Sequence, residues 1–229
     1  MSVVVDIING WLRPYQLDLL TDPSRYRVVL KGRQIGVSDE IALEMVLVAS
    51  GLIALAPGIE VSPHNCTIVS KRDTEAKDVI SKCKEWLRRL RLDEALAPYL
   101  ETEVYSKSEI KFVRSGYRII SETQNPEAAR GKTGHLYLDE YAFYQFQRAI
   151  FRAAAASTES RPDLRITLVS TPNGQGDHFH EVWTDGLFYG DWSRHEIDIH
   201  KAIEQGMPVD IDAIRRKYTA DQFAQEFEC

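Results

Sequence analysis

Short apolar runs that each stop at a charged, hydroxyl or glycine-bearing stretch recur along this chain, with helical patterns between them. Arg27-Val-Val-Leu30 runs into Lys31, and Cys66-Thr-Ile-Val-Ser70, His135-Leu-Tyr-Leu-Asp139 and Arg165-Ile-Thr-Leu-Val-Ser170 repeat the design. Residues 39–56 read as a helix that is apolar all round and therefore buried, closed by Pro57-Gly58. Residues 73–92 read as an amphipathic helix with Val79, Ile80, Cys83, Trp86, Leu87 and Leu90 on its apolar face. Residues 110–113 and 117–120 look like paired strands turning at Ser115-Gly116. Residues 145–156 and 179–183 read as helices and 193–199 as a strand. Strands alternating with helices predict an α/β fold with a mostly parallel central sheet flanked by helices. Ligands of such sheets bind at the carboxyl ends of the strands. The residues after Leu30, Leu138 and Val169 are therefore the places to look.

Composition adds bounds. The 229 residues suffice for one large α/β domain or two small ones, and we read residues 1–229 as one domain. No apolar run approaches the roughly 20 residues that span a bilayer. A net charge of −6 argues against coating nucleic acid by global attraction, without excluding a local basic track. The three cysteines, Cys66, Cys83 and Cys229, are widely spaced and suggest neither a disulfide framework nor a zinc site.

Lys31-Gly-Arg-Gln-Ile-Gly-Val-Ser38 stands between a strand and a helix, as a phosphate-binding loop G-x-x-x-x-G-K-[ST] does. Gly36 and Ser38 match the second glycine and the metal-binding hydroxyl. Val37 occupies the place of the lysine and Lys31 that of the first glycine. Backbone N–H groups and the helix N-terminus still face a phosphate there. Lys31, reaching from the far end of the loop, can supply the missing charge, and Arg33 a second one. Leu136-Tyr-Leu-Asp139-Glu140 ends a buried strand in two acids. Asp139 can hold Mg²⁺, and Glu140, where the chain turns, can polarise an attacking water. Ser170-Thr171-Pro172-Asn173-Gly174 offers hydrogen bonds at the third strand end and enforces a turn.

Together these motifs resemble, over roughly residues 11–227, the ATPase domain of the large terminase subunits of tailed bacteriophages. Trp11-Leu-Arg-Pro-Tyr-Gln16 resembles that family's adenine-reading glutamine motif, which implies that Gln16 bonds the adenine edge with Tyr15 packed nearby. The loop from Lys31 through Gly32, Arg33, Gln34, Gly36, Val37 and Ser38 resembles its Walker A, in the branch that carries the lysine at the start of the loop. Asn125-Pro-Glu-Ala-Ala-Arg130-Gly131 resembles the segment whose arginine acts as a finger on a neighbouring subunit, a role that falls on Arg130. The segment at Asp139 and Glu140 is similar to Walker B. Ser170, Thr171 and Asn173 lie in a stretch similar to the coupling motif. The resemblance implies a P-loop core of the ASCE type that hydrolyses ATP with Mg²⁺. It further implies double-stranded DNA as translocated substrate, a homo-oligomeric ring, and portal protein and small terminase subunit as partners. The place of action would be the procapsid portal in the host cytoplasm, with no membrane involved. The final stretch looks like the one that precedes the family's nuclease domain, so no nuclease activity is expected of these residues.

Two alternatives differ in class. One is a non-hydrolysing nucleotide-dependent assembly module with the loop disabled by Val37; the other is a helicase-type ATPase, which should carry a second motor domain. Asp177-His178-Phe-His180 is read as a polar loop rather than a metal site. The basic run over residues 82–91 is read as the solvated face of a helix.

Overall fold

The computed structural model of the chain describes Val4, Ile8 and residues 10–56, 58–125, 133–158 and 161–229. The strands are β1 (Tyr26–Lys31), β2 (Cys66–Ser70), β3 (Thr102–Tyr105), β4 (Glu109–Phe112), β5 (Arg118–Thr123), β6 (His135–Asp139), β7 (Ile166–Ser170) and β8 (Ser193–Ile197). Among the described residues they form one sheet in the order β3-β4-β5-β2-β6-β7-β1-β8. All neighbours are parallel except the β3–β4 and β4–β5 pairs at one edge. β7 thus separates β1 from β6, so the third strand end lies between the other two.

The central strands are buried on both faces, which is why they read as apolar runs rather than alternating ones. Val29, Ile68, Tyr137 and Val169 join the core on one side. There α1 (Pro14–Thr21), α2 (Val37–Ser50) and α3 (Asp73–Leu90) cover the sheet. Val28, Leu30, Leu138 and Leu168 face the other side, under α4 (Gln147–Thr158) and α5 (His178–Thr184). No described helix is long and apolar enough to cross a membrane. Burying so much of α2 requires its two buried acids, Glu40 and Glu44, to be dealt with internally. Glu44 accepts from both Arg27 (2.8 Å) and Arg165 (3.1 Å) and from the Tyr137 hydroxyl (2.9 Å), all buried.

Several boundaries differ from the sequence expectation. The helix expected over 39–56 ends at Ser50, because Gly51 adopts φ +83° and closes it with an N–H bond to the Val48 carbonyl. The strand expected over 193–199 stops at Ile197, because Asp198 caps the next helix, α6 (Ile199–Glu204), by accepting from the Lys201 N–H. His178 belongs not to a polar loop but to the first turn of α5, capped by Asp177. It is buried between the hydroxyls of Tyr141 (2.8 Å) and Tyr189 (3.0 Å), and burial pulls its imidazole down to about 4. Cys66 and Cys83 are buried, which pushes both thiols up.

Candidate active site

Parallel pairing brings the strand ends to one edge in a fixed register. Leu30 pairs with Ser170, Asp139 with Val169, and Val69 with Leu138. Lys31, the last residue of β1, therefore meets Thr171 and Glu140, each one residue beyond its strand. Lys31 donates from Nζ to Glu140 Oε1 at 2.7 Å and is 5% exposed. The other carboxylate oxygen of Glu140 accepts from the Thr171 N–H (3.2 Å), the Thr171 hydroxyl (3.3 Å) and the Ser170 hydroxyl (3.5 Å).

This environment sets the charge state of the two acids apart. Burial pushes the Glu140 carboxyl up, but the Lys31 ammonium beside it and the hydrogen bonds from Lys31 and Thr171 outweigh burial and hold it below the usual glutamate range. It is a carboxylate at neutral pH, as a general base must be. Glu140 also sits at φ +53°, a left-handed conformation that costs a non-glycine residue energy and turns its side chain off the strand. Asp139 is 7% exposed, and burial pushes its carboxyl up to about 6 against the pull of Lys31. Its Oδ1 is buried without a hydrogen-bond partner. An orphaned, desolvated carboxylate oxygen at the sheet edge fits a hard divalent cation, which would satisfy it. Ser38 is half-buried, in the first turn of α2.

The loop is held from below. Tyr15 donates to the Ile35 carbonyl (2.5 Å), and the Gln16 amide donates to the Gly36 carbonyl (2.8 Å) while accepting from the Arg13 N–H (3.0 Å). Gln34 (φ +57°) and Gly36 (φ +84°) are both left-handed, and Gly36 begins α2 without a side-chain cap. The first-turn N–H groups of the helix are thus left for an anion. Val37 is 2% exposed and packs in the core, so the charge that the position usually carries has to come from elsewhere.

A cleft of about 390 Å³ opens on Asp139, Glu140 and Thr171. Its walls also carry groups that the sequence reading passed over, Lys71 after β2, Arg72, Glu75 and Asp78 of α3 and its approach, and Glu226 near the C-terminus, together with Lys82, which that reading placed on a solvated helix face. Lys71 could have been found, since Ser70-Lys71-Arg72 follows a buried strand just as the other motifs do. A neighbouring cavity of about 710 Å³ is lined by Leu30, Phe179, Trp183 and Asn173. It carries Glu228 and His180 but none of the acids and cations of the cleft. Asn173 donates to the Ala142 carbonyl (3.1 Å), and the Ser170 hydroxyl accepts from the Ala142 N–H (3.1 Å), tying the third strand end to the turn after Glu140.

The C-terminal turn over Ala224–Glu228 returns to the loop. The Arg33 N–H donates to the Glu226 carbonyl (2.8 Å), and the Arg33 guanidinium pairs with the Glu226 carboxylate (3.0 Å). A Cβ on Gly32 would lie 2.7 Å from the Phe227 carbonyl oxygen. Gly32→Ala is therefore expected to push this turn away and cost about 1–3 kcal/mol, read as a lowered urea midpoint. An unchanged midpoint would show that the turn does not pack on the loop in solution.

Of the residues singled out from sequence, Lys31, Asp139, Glu140, Ser170 and Thr171 are brought together, and Arg33 lines the same cleft. Tyr15, Gln16 and Gly36 form the support of the loop rather than the cleft wall. Arg130 lies outside the described residues.

Residues 28–229 match the family model described as terminase large subunit, T4likevirus-type, N-terminal. The chain is 25% identical over 218 residues to Mu-like prophage FluMu protein gp28 of Haemophilus influenzae, a match that covers 90% of this chain and 41% of that protein. It is 31% identical over 99 residues to the probable terminase large subunit gp28 of Escherichia phage Mu, covering 43% of this chain and 18% of that protein. This chain thus spans less than half the length of these curated relatives. Among solved structures, the large terminase ATPase domain of Thermus phage P74-26 aligns with a TM-score of 0.74 and 21% identity, over 100% of this chain and 97% of that one. The large terminase of the thermophilic bacteriophage D6E in complex with ATP-gamma-S aligns with a TM-score of 0.64 and 12% identity, over 94% of this chain and 52% of that one. At these identities the structural likeness establishes the shared fold.

Proposed function

The chain belongs to the large terminase subunit family, and from that premise we propose that it binds and hydrolyses Mg-ATP to drive double-stranded viral DNA into a procapsid. The observation that carries the reading is the meeting of Lys31, Glu140 and Thr171 at three adjacent parallel strand ends beside the orphaned Asp139. The D6E relative was solved with ATP-gamma-S, which supports a nucleotide as the ligand.

The chain's own groups then act in a definite way. The phosphate tail carries several negative charges and Glu140 only one, so Lys31 is drawn from the carboxylate to the phosphates. Arg33 leaves Glu226 for the same reason and adds a second charge. The freed Glu140 oxygen accepts a hydrogen bond from the attacking water and takes its proton, while Thr171 keeps the other oxygen in place. Asp139 and the Ser38 hydroxyl would hold Mg²⁺, which when bound neutralises charge building on the phosphates. Loss of the terminal phosphate lets Lys31 return to Glu140, and the shift passes through Thr171 and Asn173 to the turn at Ala142. Gln16 and Tyr15 read the adenine or set the loop that receives it. Arg130 acts on the site of a neighbouring copy, which calls for a ring. Portal protein and small terminase subunit are the partners of that ring, at the portal in the host cytoplasm.

Phosphate release from Mg-ATP over a range of protein concentrations tests the reading. Turnover per chain that rises with concentration is expected, because an arginine in trans contributes about 10³–10⁵ in rate where one acts. Tight nucleotide binding without turnover at any concentration would favour the assembly-module alternative, in which the closed Lys31–Glu140 pair is a permanent feature.

A further inference from the structure

The fourth parallel strand end, after β2, also reaches the cleft. Val69 and Leu138 are the last pair of β2 and β6, and Lys71 follows the one by two residues as Glu140 follows the other, with both lining the cleft. Lys31 and Thr171 approach Glu140 from the β7 and β1 side, so Lys71 stands on the opposite, β2 side. Its ammonium lies 5.3 Å from the centre of the Phe143 ring, three residues past Glu140, and its main-chain carbonyl is fixed by the Gln124 amide at 3.3 Å. Arg72 and Lys82 line the same wall. Lys82 is near enough to Asp139 to draw its carboxyl downward against burial. None of the three cations makes an ion pair with another described residue. Besides Asp139, Glu140 and Glu226, two further carboxylates, Glu75 and Asp78, line the same cleft, yet the cations stay open to an anionic ligand.

We propose that Lys71 binds the terminal phosphate of the nucleotide from the wall opposite the glycine loop, so that a single chain tells a triphosphate from a diphosphate before any neighbour contributes. The proposal rests on the nucleotide-binding reading above. Its geometry is specific to the last phosphate: the attacking water must lie between Glu140 and that phosphate, and Lys71 is the cation at the strand end on the β2 side of Glu140. Lys31, paired with Glu140 from the glycine-loop side, meets the same phosphate from the opposite direction. Lys82 and Arg72, further along the wall, add field rather than a fixed contact.

The test is competition of Mg-ATP-gamma-S and Mg-ADP against a fluorescent ATP analogue, on the whole chain, for the unaltered protein, Lys71→Gln, Lys71→Arg and Lys82→Gln. Lys71→Gln is expected to lose about tenfold of the preference for ATP-gamma-S over ADP, the size of one charge-assisted hydrogen bond, with ADP affinity nearly unchanged. Lys71→Arg should restore most of the preference, and Lys82→Gln should lower both affinities by similar small factors. A merely structural lysine would move the two affinities together. An unchanged ratio in Lys71→Gln overturns the proposal while leaving the nucleotide site intact. Failure of the unaltered chain to bind either nucleotide overturns the site itself. If Lys71→Gln leaves both affinities alone but weakens double-stranded DNA binding, the wall serves DNA phosphate and the proposal falls.

Discussion

Glutamine at position 140 is expected to lower ATP turnover by about 10²–10⁴-fold while leaving the Kd for Mg-ATP nearly unchanged, the range of a positioned general base. Two features of the geometry lead there. The carboxylate is held ionised by Lys31 and Thr171 in spite of its burial, so a base is in place at neutral pH. Its left-handed backbone turns it away from the strand face that Asp139 occupies, so the two acids do different work. Glutamine keeps an oxygen for Lys31 or for Thr171 but can take no proton. Glutamine leaves the Lys31 ammonium, with a side-chain exposure of 6%, one acceptor but no counter-charge, so a stability loss of about 1–3 kcal/mol is expected beside the kinetic effect. Parallel measurement of kcat by phosphate release and of Kd by titration checks it. Equal losses in kcat and in affinity would mean that Glu140 serves to position Lys31 rather than water.

The largest effect on stability is expected from Glu44→Ala, about 3–5 kcal/mol, because it strands two buried guanidinium groups. Arg27 reaches both Glu44 oxygens (2.9 and 2.8 Å), and Arg165 and Tyr137 complete the set, with no exposure of the Arg27 and Glu44 side chains. Such a loss is a large part of the roughly 5–15 kcal/mol that holds a domain together. Glu40, one turn earlier, modifies the outcome. Burial and the Glu44 charge push its carboxyl well up, so it is neutral beside an intact Glu44, and neither of its oxygens has a partner. Once Glu44 is gone, Arg27 and Arg165 favour an ionised Glu40, which recovers part of the loss. Glu40→Gln should therefore be mild alone and costly beside Glu44→Ala, as read from urea midpoints in a double-mutant cycle. Additive losses would show that Glu40 and the two arginines do not interact.

Much of this was legible because parallel strands buried on both faces leave an unambiguous apolar signal, and because their carboxyl ends are where side chains gather. Lys31, Asp139, Glu140 and Thr171 follow from that rule alone. What the sequence could not give is strand order: β7 between β1 and β6 is a matter of distant pairing, and only that order lets Thr171 hold Glu140. β3 escaped notice because Thr102-Glu-Val-Tyr105 is a half-exposed edge strand with little apolar character. The return of Glu226 to Arg33 joins positions far apart in the chain, and no local pattern announces it. His178 was read as part of a polar loop because Asp177 and His180 flank it within three residues. Its neighbours in space are two tyrosines. Lys71 follows a buried strand as the other motifs do, but the Lys71-Arg72 pair looks like any solvated turn until β2 is known to lie beside β6.

The most direct test of the central claim is steady-state Mg-ATP turnover of Lys31→Ala beside the unaltered chain, at a protein concentration where the latter is active. Lys31 is the cation buried at the glycine loop, and Val37 leaves no other at the usual place. Its loss is expected to abolish measurable turnover and to weaken Mg-ATP binding at least tenfold, since a charge-assisted contact to phosphate is worth about 1.5–3 kcal/mol. Turnover unaffected by Lys31→Ala would contradict the assignment, for it would place the phosphates somewhere other than against this strand end.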